Sequence, residues 1–183
     1  VMALINAYRE ETVKNNMNLT IDKQSQVDEM TDTLQGYIDS LELADTKEVF
    51  EAKEGSTTII NGGYIYGLTT ALTKSAFQNN FVTCENVTLS YSGNSGRFLG
   101  TGTVVTVTST LTGEVVGTYT IIIYGDVNGD GAVNITDQNL VASALRRTVV
   151  LSAPAKKAAM IASNRMLSMS DYLVFCKVVQ KQE

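Results

Sequence analysis

The chain has 183 residues, of which 44% are hydrophobic, and a formal net charge of −5. The hydrophobic content is that of a folded protein, the negative charge argues against a nucleic-acid partner, and no apolar run reaches the roughly 20 residues of a membrane-spanning helix, so no membrane insertion is expected. The chain has no histidine, which excludes Ser-His and Cys-His nucleophiles and the common zinc sites.

Residues 1–48 have the pattern of a helical hairpin. Apolar residues recur three and four positions apart, as on one face of a helix. They are Met2, Ile5, Tyr8 and Val13 in the first stripe, and Val27, Met30, Leu34, Tyr37, Ile38 and Leu41 in the second. Asparagines and Thr20 between the stripes indicate a break and an N-cap. Residues 19–43 resemble the second arm of the FIVAR modules of Gram-positive surface proteins, which implies a spacer.

Residues 55–124 have the pattern of a β-rich domain. In three stretches hydrophobic residues alternate largely with Thr or Ser, which is the period of half-buried strands. The alternating residues are Val87, Leu89 and Tyr91, then Val105 and Val107, then Tyr119, Ile121 and Ile123. Turns are predicted at 61–63, 93–96 and 112–113, and a short helix within 72–81. The prediction is a small β-sandwich-like domain that carries one helix.

The run DVNGDGAVNITD, residues 126–137, has the spacing of a calcium-binding loop. Calcium takes six to eight oxygens at about 2.3 to 2.6 Å, and a tight loop supplies them from alternate residues. Oxygen-bearing side chains stand at loop positions 1, 3, 5, 9 and 12, and position 7 offers its carbonyl. These candidate ligands are Asp126, Asn128, Asp130, Ala132, Asn134 and Asp137. Gly131 suits the turn, Val133 anchors the loop to the core, and three carboxylates without a cation would repel one another.

The flanks of this loop differ from those of a sensor EF-hand, which has a helix on both sides. The β-rich sequence GTYTIIIYG enters the loop, a helix predicted over 138–147 leaves it, and position 12 is Asp instead of Glu. Strand, loop and helix together resemble the first half of a type I dockerin. The resemblance implies an all-α C-terminal dockerin over residues 125–183 with an F-hand calcium loop. The predicted fold class is therefore α+β and multi-module.

The preceding β-rich residues are consistent with that context. The phrases IYGL, GTGTVVTV and YTIIIYGDVNGDG resemble a module that often precedes dockerins in proteins of anaerobic Firmicutes and is grouped with the Ig-like X modules. This resemblance implies an Ig-like fold for residues 55–124 and structural support as its role.

A weaker copy of the loop and helix follows 34 residues later. The matching residues are Asn164, Leu167, Ser168 and Asp171 in the loop and Val174, Phe175, Val178 and Val179 on the helix. Met160 and Ala162 replace the first two ligands, and Arg165 replaces the glycine. We therefore expect one calcium ion per chain, with the second loop, residues 160–171, free of metal and held by apolar packing. Between the halves, residues 152–154 indicate the N-cap and first turn of a linking helix.

The dockerin resemblance also implies a cohesin as the partner. The residues that it implies for the contact are Ile135, Thr136, Ser143, Arg146 and Arg147 in the first half, and Met169, Ser170 and Lys177 in the second. Ile135 and Met169 would form an apolar contact with a basic rim. The alternative for each residue is packing against its own domain.

We interpret the chain as a non-catalytic, monomeric docking module, located extracellularly or at the cell surface, that binds a cohesin of a scaffold or surface protein. Because it begins at Val1, we expect a longer polypeptide whose signal peptide lies upstream. Two alternatives stay open: a calcium-stabilised spacer whose partner face has decayed, or a piece of an enzyme whose activity resides in an upstream domain. Cys84 and Cys176 fall in separate predicted modules, which favours free thiols over a disulfide.

Overall fold

A computed structural model describes residues 21–45, 47–162 and 166–180. The chain forms two compact units, Val1–Lys47 and Glu48–Glu183. None of the described helices is long and apolar enough to cross a membrane.

Within the first unit, the described residues form one helix, α1 (Ile21–Asp45). The second predicted apolar stripe lies on this helix. Four of its large side chains are exposed: Met30, Leu34, Tyr37 and Leu41. The first predicted stripe, from Met2 to Val13, and the N-cap predicted at Thr20 lie outside the described residues.

The second unit combines strands and helices. Its strands are β1 (Val49–Ala52), β2 (Ile59–Asn61), β3 (Tyr64–Tyr66), β4 (Val82–Glu85), β5 (Val87–Ser92), β6 (Val104–Ser109) and β7 (Val115–Ile121). Its described helices are α2 (Lys74–Asn80), α3 (Ile135–Leu145), α4 (Ala153–Ala159) and α5 (Met169–Gln180).

The strands form a five-stranded sheet in the order β2-β3-β7-β6-β5 and a two-stranded sheet of β1 and β4. The turns predicted at 61–63, 93–96 and 112–113 are confirmed, because they fall between the antiparallel pairs β2-β3, β5-β6 and β6-β7. The predicted short helix is confirmed as α2. Parallel pairing of β3 with β7 was not predicted, since it joins strands far apart in the sequence.

Alternation along the strands places one set of side chains in a core between the sheets and α2. Val105 and Val107 on β6 are fully buried, as predicted. Val105 belongs to a core cluster with other buried residues, which are Ile65, Leu72, Phe77, Val82, Leu99, Ile121 and Ile123. Phe77 is the buried residue of α2, whose N-terminus is capped by Thr73.

The predicted fold class, α+β with a β-sandwich-like domain and an all-α dockerin, is wrong. Glu48–Glu183 is one compact mixed α/β unit that contains both sheets and all four helices α2 to α5. The three isoleucines 121–123 are all buried, although consecutive residues of an extended chain point to opposite sides. Both sides of this segment are therefore covered by protein. Shortly after this segment, Gly125 N donates to Ala158 O on α4 at 2.9 Å. A hydrogen bond therefore joins the end of the sheet region to the helices.

Candidate metal centre

The candidate loop connects the end of β7 to the start of α3. Asn134, at loop position 9, is the N-cap of α3: its Oδ1 accepts from Thr136 N at 2.8 Å. Asp137 completes a capping box by accepting from Asn134 N at 2.9 Å. Because of this cap, the helix begins at Ile135, three residues before the predicted start.

Asp126, the first predicted ligand, is fully buried. Its Oδ1 accepts from Gly129 N at 2.8 Å, and its Oδ2 accepts from Thr101 N at 2.8 Å and Gly131 N at 3.2 Å. Burial raises the pKa of Asp126 to about 6, and the nearby Asp137 carboxylate also raises it, while the main-chain N–H groups lower it. Burial therefore disfavours the charged form of Asp126 by more than the hydrogen bonds favour it.

Asp137, the last predicted ligand, is also fully buried and joins the two ends of the loop. Its Oδ1 accepts from Val127 N at 2.8 Å and from Asn128 N at 3.0 Å, and its Oδ2 accepts from Asn134 N at 2.9 Å. An acid in the first turn of a helix is also favoured by the helix dipole. Asp137 therefore stabilises both the loop and the start of α3.

The remaining predicted side-chain ligands lie on the outer part of the loop. Asn128 Nδ2 donates to Asp130 Oδ2 at 2.7 Å, Asp130 N donates to Asn128 Oδ1 at 2.9 Å, and Ala132 N donates to Asp130 Oδ1 at 2.8 Å. Asp130 and Ala132 are exposed. Within the described residues, no three Asp, Glu, Cys or His side chains gather closely enough to hold a metal ion. Two of the three predicted carboxylates, Asp126 and Asp137, are brought together, whereas the Asp130 carboxylate is exposed and accepts from the side chain of Asn128 and the main chain of Ala132.

The turn residues of the loop have the predicted roles. Gly131 has φ +81°, a left-handed conformation that glycine adopts without strain. Val133 is buried and belongs to the apolar cluster of the helices. Both predictions are confirmed.

The donor chemistry of the loop fits a hard cation. Two carboxylates are buried side by side, and their hydrogen bonds come from main-chain N–H groups; among the described residues no Lys or Arg bonds to either one. Buried charge without a counter-charge is costly. A set made only of oxygen donors suits calcium. The groups that would hold the ion are those of Asp126, Asn128, Asp130, Ala132, Asn134 and Asp137.

Two main-chain hydrogen bonds to the last aspartate of the first loop recur in the second half. Asp171, 34 residues after Asp137 and also fully buried, accepts from Ala162 N and from Ser168 N, both at 2.8 Å. In both halves these donors lie nine and three residues before the aspartate. The predicted duplication therefore extends to the backbone contacts. Residues 163–165 of the second loop, which include the predicted Asn164 and Arg165, lie outside the described residues.

The helices of the two halves share one apolar cluster. Val141 on α3 and Phe175 on α5, which are 34 residues apart, are both fully buried in it. The other buried members are Val127, Val133, Ala155 and Ala159. The linking helix α4 begins as predicted, with Ser152 as its N-cap and Pro154 in its first turn.

The residues predicted for partner contact lie mostly at the surface. Ile135 and Met169 are the first residues of α3 and α5, and they are 53% and 60% exposed. Each side chain is therefore more exposed than covered. Of the other predicted contact residues, Ser143 is half-buried. The rest are exposed: Thr136, Arg146, Arg147, Ser170 and Lys177.

Sequence reasoning missed the part of the centre that comes from the sheet region. Thr101, which bonds Asp126, lies 25 residues before it in the chain. A weak signal was present: Gly100, between two strands, marks a place where another backbone approaches closely. Cys84 and Cys176, outside the centre, are both free and half-buried.

Comparison of the chain with protein-family models, with curated proteins and with solved structures found no match. Function is therefore inferred from the loop spacing and from the contacts of the residues described above.

Proposed function

We propose that the chain is a non-catalytic calcium-binding docking module that binds a cohesin on a scaffold or cell-surface protein and attaches its parent protein to an extracellular complex. The observation that carries the proposal is the buried pair Asp126 and Asp137, inside a twelve-residue run with calcium spacing and with no cation bonded to it among the described residues. The resemblance of this run to a type I dockerin supplies the partner class.

Calcium would supply the positive charge that the buried carboxylates lack. The chain's own residues would position the loop: Asp137 links it to α3, and Asn134 caps that helix. Because the loop and the helix start share these groups, the free energy of metal binding stabilises the fold.

The surface offered to a cohesin would combine the starts of α3 and α5. Ile135 with Thr136 and Met169 with Ser170 occupy equivalent, exposed positions. Exposed apolar residues with a polar rim are a common arrangement in protein interfaces. Arg146, Arg147 and Lys177 would form that rim.

Calcium binding is tested by titration calorimetry of the whole chain. We expect one ion per chain, and we expect Asp126→Asn and Asp137→Asn each to abolish binding, because each removes a buried negative ligand. Glu114→Gln, an exposed acid in the β6-β7 turn, is the matched control and should bind calcium as the wild type does. An unchanged affinity in both Asp variants would overturn the site.

Docking is tested by surface plasmon resonance, which measures the affinity of the calcium-loaded chain for cohesin domains from its source organism. We expect Ile135→Asp and Met169→Asp to weaken binding by at least about tenfold, since each places a charge in an apolar contact. Val116→Asp changes an exposed apolar residue of β7 and should leave binding unchanged.

A second candidate is a calcium-stabilised spacer without a partner. The observation that favours it is the loss of oxygen ligands at Met160 and Ala162 in the second half. A calcium-loaded chain that binds none of the organism's cohesins would support the spacer and contradict docking.

A further inference from the structure

Asp126, the first ligand of the proposed site, is held from outside the loop. Thr101, just before β6, donates its main-chain N–H to Asp126 Oδ2 at 2.8 Å. The Thr101 hydroxyl donates to Ile123 O at 3.1 Å and accepts from Ile123 N at 3.0 Å. The Thr101 carbonyl accepts from Asn94 Nδ2 at 2.7 Å. The donor therefore has a fixed position relative to the chain that enters the loop.

This contact determines which oxygen of Asp126 is left for an ion. A carboxylate has about four lone-pair sites on its two oxygens. Oδ2 accepts from both Thr101 N and Gly131 N, whereas Oδ1 accepts only from Gly129 N. Oδ2 is thus saturated by N–H donors, and Oδ1 retains an acceptor site.

The backbone beside Thr101 is packed directly on the loop. A Cβ atom on Gly100 would lie 2.0 Å from Gly129 O and 3.0 Å from Gly131 N. In addition, Ala71 N donates to Gly131 O at 2.7 Å. The loop therefore has no room for one additional carbon atom on this side, and its central glycines are held by the sheet region.

We infer that residues 99–101 belong to the calcium site as a positioning segment: they hold Asp126 so that Oδ1 alone is presented to the ion, and they fix the backbone of the loop from outside it. The inference rests on the proposed calcium binding and adds a second chain segment to the site. It follows that the twelve-residue run does not bind calcium at full affinity unless the sheet region is folded around it.

A pair of glycine variants tests the inference in the full chain. Gly100→Ala would force the two backbones apart, whereas a Cβ on Gly96, in the same β5-β6 connection, meets nothing within 4 Å. Neither glycine has a positive φ, so the two substitutions differ in the space available and not in backbone strain. We expect Gly100→Ala to weaken calcium binding by about 10- to 100-fold, as loss of an outer-shell contact does, and Gly96→Ala to leave it unchanged.

A spectroscopic readout separates positioning from a general loss of stability. Terbium, bound in place of calcium, reports the number of coordinated waters through its luminescence lifetimes in light and heavy water. We expect about one more bound water in Gly100→Ala, because a displaced carboxylate oxygen is replaced by solvent. A variant that is only less stable would show the wild-type number of waters once it is fully loaded.

Thr101→Val covers the case in which Gly100→Ala does not fold. It keeps the main-chain N–H but removes both hydroxyl bonds to Ile123, so we expect weaker calcium binding and a raised water count here too. Wild-type affinity and hydration in Gly100→Ala, or in Thr101→Val if the first variant is unfolded, would overturn the inference while leaving the proposed function standing. A wild-type chain that binds neither ion would overturn both.

Discussion

At the residue scale, the centre depends on two acids whose surroundings consist of main-chain amides. Asp126 and Asp137 together accept six hydrogen bonds from backbone N–H groups. Amides are dipoles, so they orient a carboxylate without neutralising its charge. Burial raises the pKa of Asp126 by more than these hydrogen bonds lower it.

The raised pKa predicts how the stability of the metal-free protein depends on pH. The folded-state pKa of Asp126 is about 6, against an ordinary 3.8, so between these values the folded state retains a proton that the unfolded state has lost. Stability from this group is therefore present below about pH 4 and is lost as the pH rises through 6. We expect the calcium-free chain to melt at a lower temperature at about pH 7.5 than at about pH 5.

Thermal unfolding of chelator-treated protein across this range checks the prediction. Asp126→Asn cannot titrate, so its melting temperature should change less between the two pH values. A wild-type melting temperature that rises steadily from pH 5 to pH 7.5 would contradict the assignment. Saturating calcium should remove the effect, because the ion favours the deprotonated acid.

At the element scale, α3 and α5 are related by the 34-residue repeat and share one apolar cluster with α4. Phe175 is the largest buried side chain of this cluster. Two helices of 11 and 12 residues are too short to be stable alone in water. Their order therefore depends on packing at this cluster.

A pair of substitutions on α5 tests that dependence. We expect Phe175→Ala to lower the free energy of unfolding by about 3 to 5 kcal/mol, because it removes a buried ring and leaves a cavity. Leu173→Ala lies on the exposed side of the same helix and should change it by no more than about 0.5 kcal/mol. Denaturant unfolding measures both values; equal effects would contradict the packing of α5.

At the scale of the whole molecule, the candidate loop lies between a sheet and a set of helices and is bonded to both. Thr101 N reaches it from the sheet region, and the Gly125-Ala158 bond fixes its entrance to α4. Folding of the sheet region and folding of the helices are consequently linked through the loop.

This linkage predicts that removal of calcium destabilises the sheet as well as the helices. At a calcium concentration about 100 times Kd, binding contributes about 2.7 kcal/mol, so chelation should lower the melting temperature by roughly 10 °C. Amide hydrogen exchange measured by mass spectrometry gives one protection signal from the strands of the sheet, such as β6, and another from α3 and α5. We expect both signals to fall together; helices that melt alone would show that the two regions are independent.

Local patterns in the sequence were sufficient for many of the elements and for the loop spacing, but they did not predict β1 and β4. Alternation predicted the strands that carry Val105 and Val107, glycine and asparagine predicted the turns, and Ser152 predicted the start of α4. The loop spacing predicted the positive φ of Gly131. These features depend on residues close together in the chain, so a short segment contains all the information about them.

Only the tertiary structure decided how these elements are combined. The parallel pairing of β3 with β7 and the bond from Thr101 to Asp126 join residues tens of positions apart. No periodicity encodes such contacts, because they result from shape and hydrogen-bond matching between surfaces that are formed separately. For that reason the separate all-α domain expected from the sequence is replaced by one mixed unit, in which the sheet region holds the first ligand of the proposed calcium site.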